Sequence, residues 1–445
     1  MKDFTSGSIL SHLLTMAAPL FAGLILMLVC GLVDLYFVAD LGESAIAGVG
    51  AAGNAAFAVN AMTQVVSVGT LAIVSQAVGR KDRASANSAF LQSLLLSSLF
   101  AACTLLCGFA LAGPYMKAVA ADASTITDGT IYLIWFLPAL TLQFILQAIL
   151  SALRGVGLAK PSMYVQALIV GINIALAPIL ILGWGTQKPM GVAGAGLASS
   201  LAVAVGVIAA FVYLLNVNGY LRLNEGQPKF NFAYCRRILK IGLPASGEFA
   251  IMFIYMAVIY HALGSVGPSA QAGFSIGSRV LGLIQVPAMA IAFASAAIVG
   301  QNVGALDLSR VKQVLRVVLI TTSAVMLAAT IVTQWQSASL LHRFTSDAQA
   351  IAEGDLFLRM VSLNLFAQGI IFVCSSAFQG LGNTRPQLIS STVRLISYVF
   401  PTLWLSAQPS FSSKQMWYLS IATTTAQAIV SLWLLRRELG KFEKR

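Results

Sequence analysis

The chain has 445 residues, of which 58% are hydrophobic and only 9% charged, with a mean hydropathy of +0.85. A soluble domain carries about 25% charged residues, so this composition excludes a soluble globular protein and leaves no room for a large soluble domain. The formal net charge of +12 would suggest nucleic acid for a soluble chain; in a membrane chain it reports where the loops lie, and nucleic acid is set aside as a partner.

A helix that crosses hydrocarbon needs about 20 apolar residues. Reading apolar runs between polar clusters predicts twelve such helices, at 13–38, 45–78, 88–112, 129–151, 162–183, 191–215, 238–263, 269–302, 314–335, 354–378, 387–407 and 415–435. The first run is too long for a signal-peptide core and lacks a cleavage site, so it is read as a retained span. Cys30, Cys103, Cys107 and Cys374 fall in apolar runs and Cys235 in a polar one, which gives neither a disulfide framework nor zinc spacing. Twenty of the 27 basic residues lie on one side of these spans, from Lys2 through Arg80, Arg154, Lys229, Arg310 and Arg385 to Arg445; Lys117, Lys188, Arg343 and Lys414 lie on the other. The positive-inside rule then places both termini in the cytoplasm, and a wrong span count would destroy this asymmetry.

The two halves repeat at one displacement of 225 residues. Gln76-Ala-Val-Gly79 with Asp82 returns as Gln301-Asn-Val-Gly304 with Asp307, and the Gly155-Val-Gly157 turn before Lys160-Pro161 returns as Gly380-Leu-Gly382 before Arg385-Pro386. Pro19 returns as Pro244, and Gly42, Ser44 and Gly48 return as Gly267, Ser269 and Gly273. Six spans per half is an even number, so the halves share one orientation. The expected fold is an all-α polytopic membrane protein with twelve transmembrane helices in two six-helix lobes, related by a pseudo-twofold axis along the membrane normal. Residues 1–220 form the N-lobe and 221–445 the C-lobe, joined by a linker at about 216–240. In that linker Phe230, Phe232, Tyr234 and Ile238 interleave with Arg236, Arg237 and Lys240, a pattern suited to the membrane surface.

Only Asp34 and Glu248, of 15 acidic residues, lie well inside the predicted spans. A charge at mid-bilayer costs about 2.5–3.5 kcal/mol on insertion scales, so each one invites a functional reading. Asp34 sits six residues before Asp40, roughly 9 Å below the outer boundary. Glu248 lies ten residues beyond Ile238, roughly 15 Å in and near the midplane. It is either a site for substrate charge or ion coupling, or the partner of Arg279, a structural charge at similar depth on the next span. Tyr36, Met252, Phe253, Tyr255, Met256 and Tyr260 are candidate cavity residues, and Gln64, Gln143 and Gln285 are uncharged polar groups suited to a wet cleft or to joining helices. Arg394 either faces the cleft or extends to the cytoplasmic surface, and the second is preferred. No metal-ligand spacing and no phosphate-binding loop occurs, and the clustered acids or His-Asp pair of a membrane transferase are missing, so an enzyme is not expected.

The motifs together resemble the multidrug and toxic compound extrusion (MATE) transporters. The matching pieces are Val33-Asp34-Leu35-Tyr36-Phe37-Val38 with Leu41-Gly42; Arg279, Pro287 and the run from Val299 to Ala305; the two Gly-x-Gly-x-x-basic-Pro turns; Asn173; and the Gly191–Ser199 run. The resemblance covers about residues 12–435. It implies a monomeric exporter in the bacterial inner membrane that exchanges small amphiphilic, often cationic compounds for protons or sodium ions and needs no cofactor. It also implies Asp34 as the ion-coupling acid, with Asn173 and Ser199 as neutral neighbours. Members with an acidic pair carry an aspartate where this chain has Ala177, and sodium-linked members carry a tenth-span carboxylate that is absent between Leu356 and Phe378. Both departures favour protons over sodium. A flippase of a lipid-linked precursor is the alternative within the wider grouping; it calls for a strongly basic cleft, against which Arg279 and Arg394 are few.

Overall fold

The computed structural model describes residues 2–185, 188–216, 220–222 and 230–443. Lys229, Lys444 and Arg445 of the basic set, and the middle of the linker, lie outside these. The described residues fold into helices only: α1 (Ile9–Ala39), α2 (Glu43–Gly79), α3 (Arg83–Val119), α4 (Ala123–Gly155), α5 (Lys160–Leu182), α6 (Val192–Asn216), α7 (Phe232–Val266), α8 (Pro268–Gly304), α9 (Leu308–Leu341), α10 (Ala348–Ser362), α11 (Asn364–Leu381), α12 (Arg385–Ser406) and α13 (Ser413–Glu443). Twelve of them, all but α10, are long and apolar enough to cross a membrane.

The repeat is written into the helix ends. α2 and α8 begin and end 225 residues apart, and the turns that follow them hold Lys81 and Leu306 at the same left-handed φ of 60°. Asp82 and Asp307 then cap the next helices, each accepting a hydrogen bond at 2.9 Å from the backbone N–H of Ser85 and Arg310 respectively. Such caps occupy N–H groups that have no partner within the helix. Asp122 and Asp347 cap α4 and α10 at the same displacement. Hydrogen bonds from Ser124 and Thr125 pull the Asp122 carboxyl down to about 2, so this cap stays ionised at every physiological pH.

The chain divides into two compact units, Met1–Asp3 with Ala18–Leu243, and Phe4–Ala17 with Pro244–Arg445. Both divisions fall inside helices, within α1 shortly before Pro19 and within α7 immediately before Pro244. A proline there removes one helical hydrogen bond and marks a point where the helix bends at low cost. In the first unit α4 is central, packing on α2, α3 and α6, while α5 packs on α6. In the second unit α8 packs on α9, α10 and α11, and α13 packs on α11 and α12.

The repeated glutamines seat the chain segments that complete each unit. In the first unit Gln76 accepts a hydrogen bond from Arg237 at 3.0 Å. In the second, Gln301 accepts from the backbone N–H of the fully buried Phe4 at 3.0 Å, and the Phe4 carbonyl accepts from Asn302 and Arg310. The linker correspondingly differs from a surface tether over its described end. From Phe232 onward it is helix, with Cys235 and Ile238 buried, although Phe230 and Phe232 remain exposed.

The predicted tenth span is also two helices rather than one, interrupted at Leu363. Side chains of α9 stabilise the break by taking its carbonyls: Thr330 donates to Ser362 O at 3.0 Å, and Gln334 donates to Arg359 O at 2.5 Å and to Ser362 Oγ at 2.8 Å. Asp355 lies within α10, so it belongs to this pair of helices; it pairs with Arg359 at 2.9 Å and accepts from Ser337.

α7 meets α2 at Gly242, where a Cβ would stand 1.8 Å from the Val65 carbonyl oxygen. The two helices approach this closely only because residue 242 has no side chain. Gly242→Ala is therefore expected to lower stability by about 3 kcal/mol, at the upper end for forced overpacking. Gly50→Ala, with nothing within 4 Å of the new methyl, should be neutral or stabilise by up to about 1 kcal/mol. Thermal melting of the purified variants in detergent checks both.

Candidate functional site

Each unit carries a polar cluster in its helical interior. In the first, Asp34 projects from α1 beside an apolar cluster that includes Val38, Tyr132, Ala177, Ile181 and Val192. Its carboxylate faces the Asn173 side chain of α5, with Cys30 and Tyr132 in electrostatic range. Asn173 in turn donates to Ser199 of α6 at 3.1 Å, and both are buried. The three residues expected from the resemblance are thus brought together. The Asp34 Oδ1 oxygen is shielded from solvent and accepts no hydrogen bond. An acceptor left bare in a dry setting costs about 1–3 kcal/mol, more for a charged group. Ala177, where an acidic pair would have its second member, is fully buried in the apolar cluster.

The second unit holds a longer network. Glu248 of α7 accepts from Gln387 at one carboxylate oxygen and from Ser391 Oγ, at 2.7 Å, at the other. Ser391 accepts from Gln427 of α13 at 3.1 Å, and Gln427 accepts from Arg394 at 3.3 Å. Arg394 also donates to the Tyr255 hydroxyl at 3.2 Å and lies over that ring, 4.7 Å from its centroid. Tyr255 and Ser420 share a hydrogen bond at 3.2 Å, and Asn364 donates to Ser420 at 3.1 Å.

Two expectations are corrected here. The ion pair between Glu248 and Arg279 is not made: the carboxylate is hydrogen-bonded to α12, and Arg279 of α8 is exposed. Arg394 does not extend to the surface but turns inward, because Tyr255 and Gln427 offer it a ring face and an acceptor. Tyr36, Met252, Phe253, Met256 and Tyr260 are exposed, and Gln64, Gln143 and Gln285 are half-buried on α2, α4 and α8. Gln387, Ser391 and Gln427 escaped the reading of the sequence. Their signal was present as spacing, since 387, 391, 394 and 398 recur at helical intervals along one face of α12.

These features define the chain as a multi-pass membrane protein with twelve candidate spans. The MatE family model matches it twice, over residues 19–179 and 244–405, the two copies of the repeat; the chain belongs to the MatE family and is not an enzyme. Among its relatives are a "Multidrug export protein MepA" from Staphylococcus haemolyticus, 25% identical over 99% of this chain and 98% of the relative, and a "Probable multidrug resistance protein NorM" from Thermotoga maritima, 25% identical over 88% and 85%. The fold is shared with a MOP superfamily transporter from Pyrococcus furiosus, at a TM-score of 0.91 and 21% identity, covering 99% of this chain and 98% of the other.

Ser391 connects Glu248 to Gln427, so Ser391→Ala should lower thermal stability by about 1–3 kcal/mol, the cost of leaving buried groups unpaired. Arg279→Gln should change it by less than about 0.5 kcal/mol. The reverse order in a melting experiment would restore the Arg279 ion pair.

Proposed function

We propose that the protein is a proton-coupled antiporter that expels amphiphilic, often cationic compounds across the bacterial inner membrane by alternating access. In this reading both termini are cytoplasmic, a single copy of the chain suffices, and no cofactor is needed. The observation that carries it is the unpartnered oxygen of Asp34, which directly follows the apolar run 21–33 of α1. A proton makes that acceptor neutral and removes the need for a donor; when water reaches the site, the proton leaves and water takes its place. A site that is protonated when dry and ionised when wet meets the requirement for a coupling group.

Glu248 supports a different role. With two donors from α12 both oxygens of its carboxylate are hydrogen-bonded, which suits a fixed place for the cationic group of a substrate. Protons are favoured over sodium because a hard cation gathers several oxygen ligands, whereas position 177 supplies a buried methyl group beside Asp34. The names of the relatives support multidrug export as the direction of transport.

The test is movement of a fluorescent cationic dye in proteoliposomes under an imposed pH gradient or, separately, an imposed sodium gradient. The pH gradient should drive transport, and Asp34→Asn should abolish it while the variant still folds. Normal transport by Asp34→Asn removes that residue from coupling. Transport on sodium alone makes the protein a sodium antiporter, and no dye movement under either gradient favours a flippase.

A further inference from the structure

Buried polar atoms without partners are few in folded proteins, and hydrocarbon makes them costlier. In this chain four atoms that meet no well-formed hydrogen bond fall on one face of a single helix, Gln387 Oε1, Arg394 Nε, the Tyr398 hydroxyl and Thr402 Oγ1, all on α12; the Tyr398 hydroxyl lies beside those of Thr402 and Tyr255. Three of these four can donate a hydrogen bond. Arg394 commits its Nη1 to Gln427 and its Nη2 to Tyr255, which leaves the Nε edge free. No carboxylate lies within ion-pair distance of this guanidinium among the described residues, so its charge is compensated only by a ring face and neutral acceptors. Tyr398 stands one turn further along the same face and packs on Tyr255 with ring centroids 4.3 Å apart.

We propose that Arg394 and Tyr398 form a receptor for an anionic substituent, a carboxylate above all, on an amphiphilic substrate. The guanidinium Nε–H and the phenolic O–H are the donors, and the aromatic pair Tyr255 and Tyr398 supplies the apolar wall. Hydrogen bonds from Arg394 through Gln427 and Ser391 to Glu248 all run in one direction, with each group donating to the next. The network therefore keeps a positive and a negative recognition point apart without letting them neutralise each other. A substrate bearing a cationic and an anionic group satisfies both ends. This inference rests on the exporter reading and adds to it a group-specific site in the second unit.

The test uses two xanthene dyes that differ in one group, a rhodamine with a free carboxylate and its methyl ester, in proteoliposomes and by fluorescence titration of the purified protein. Wild type should bind and move both. Arg394→Gln should lower the acid-to-ester ratio, in transport and in binding, by about tenfold, as expected for losing one charge-assisted hydrogen bond. Tyr398→Phe should lower the ratio less, in the same direction, and Arg394→Lys should recover part of it; these two keep the test open should Arg394→Gln fail to fold. A ratio unchanged in all three variants overturns the site, as does a wild type that moves the ester and excludes the acid. Movement of neither dye defeats the exporter reading itself and this site with it.

Discussion

Hydrocarbon offers no hydrogen bonds, and every feature of this chain follows from that constraint. The backbone answers it by folding into helices that satisfy their own N–H and C=O groups. Where a helix is interrupted inside an apolar run, the freed carbonyls must find other donors, and Thr330 and Gln334 supply them at the α10–α11 break. Ionisable side chains answer it by networks, as around Glu248, or are left with an unmet need, as at Asp34. The two carboxylates differ in their surroundings: both oxygens of Glu248 are hydrogen-bonded, whereas Oδ1 of Asp34 is not.

The repeat gives the chain two versions of one six-helix plan, and the versions have diverged in polarity. The glutamines of the repeated Gln-x-Val-Gly motif keep the same duty in both units, seating a chain segment at the end of the helix that carries them. The interiors differ. The first unit pairs one acid with Asn173 and Ser199 beside an apolar cluster, while the second threads polar side chains along α12 and α13. The two units thus offer chemically distinct polar clusters.

Much of this was legible in the sequence because membrane helices announce themselves by apolar length, and because a constant displacement of 225 residues is detectable without knowing any structure. Asp82 and Asp307 were visible as members of that repeat, though not as caps, and the grouping of Asp34, Asn173 and Ser199 came from the family resemblance. What stayed hidden depends on partners distant in sequence. The break at Leu363 is stabilised by residues of α9, and the inward turn of Arg394 depends on Tyr255 and Gln427, each at least 33 positions away. Depth alone offered Arg279 as one partner for Glu248, and depth fixes height in the membrane but not rotation about the helix axis. The polar face of α12 was readable by its spacing and was obscured by the search for charges.

Proton coupling through Asp34 is tested most directly by proton movement in proteoliposomes that hold a pH indicator, driven by an imposed gradient of a cationic dye. Antiport predicts that wild type moves protons against the dye and that folded Asp34→Asn does not; no proton movement by wild type, or equal movement by both, would contradict it.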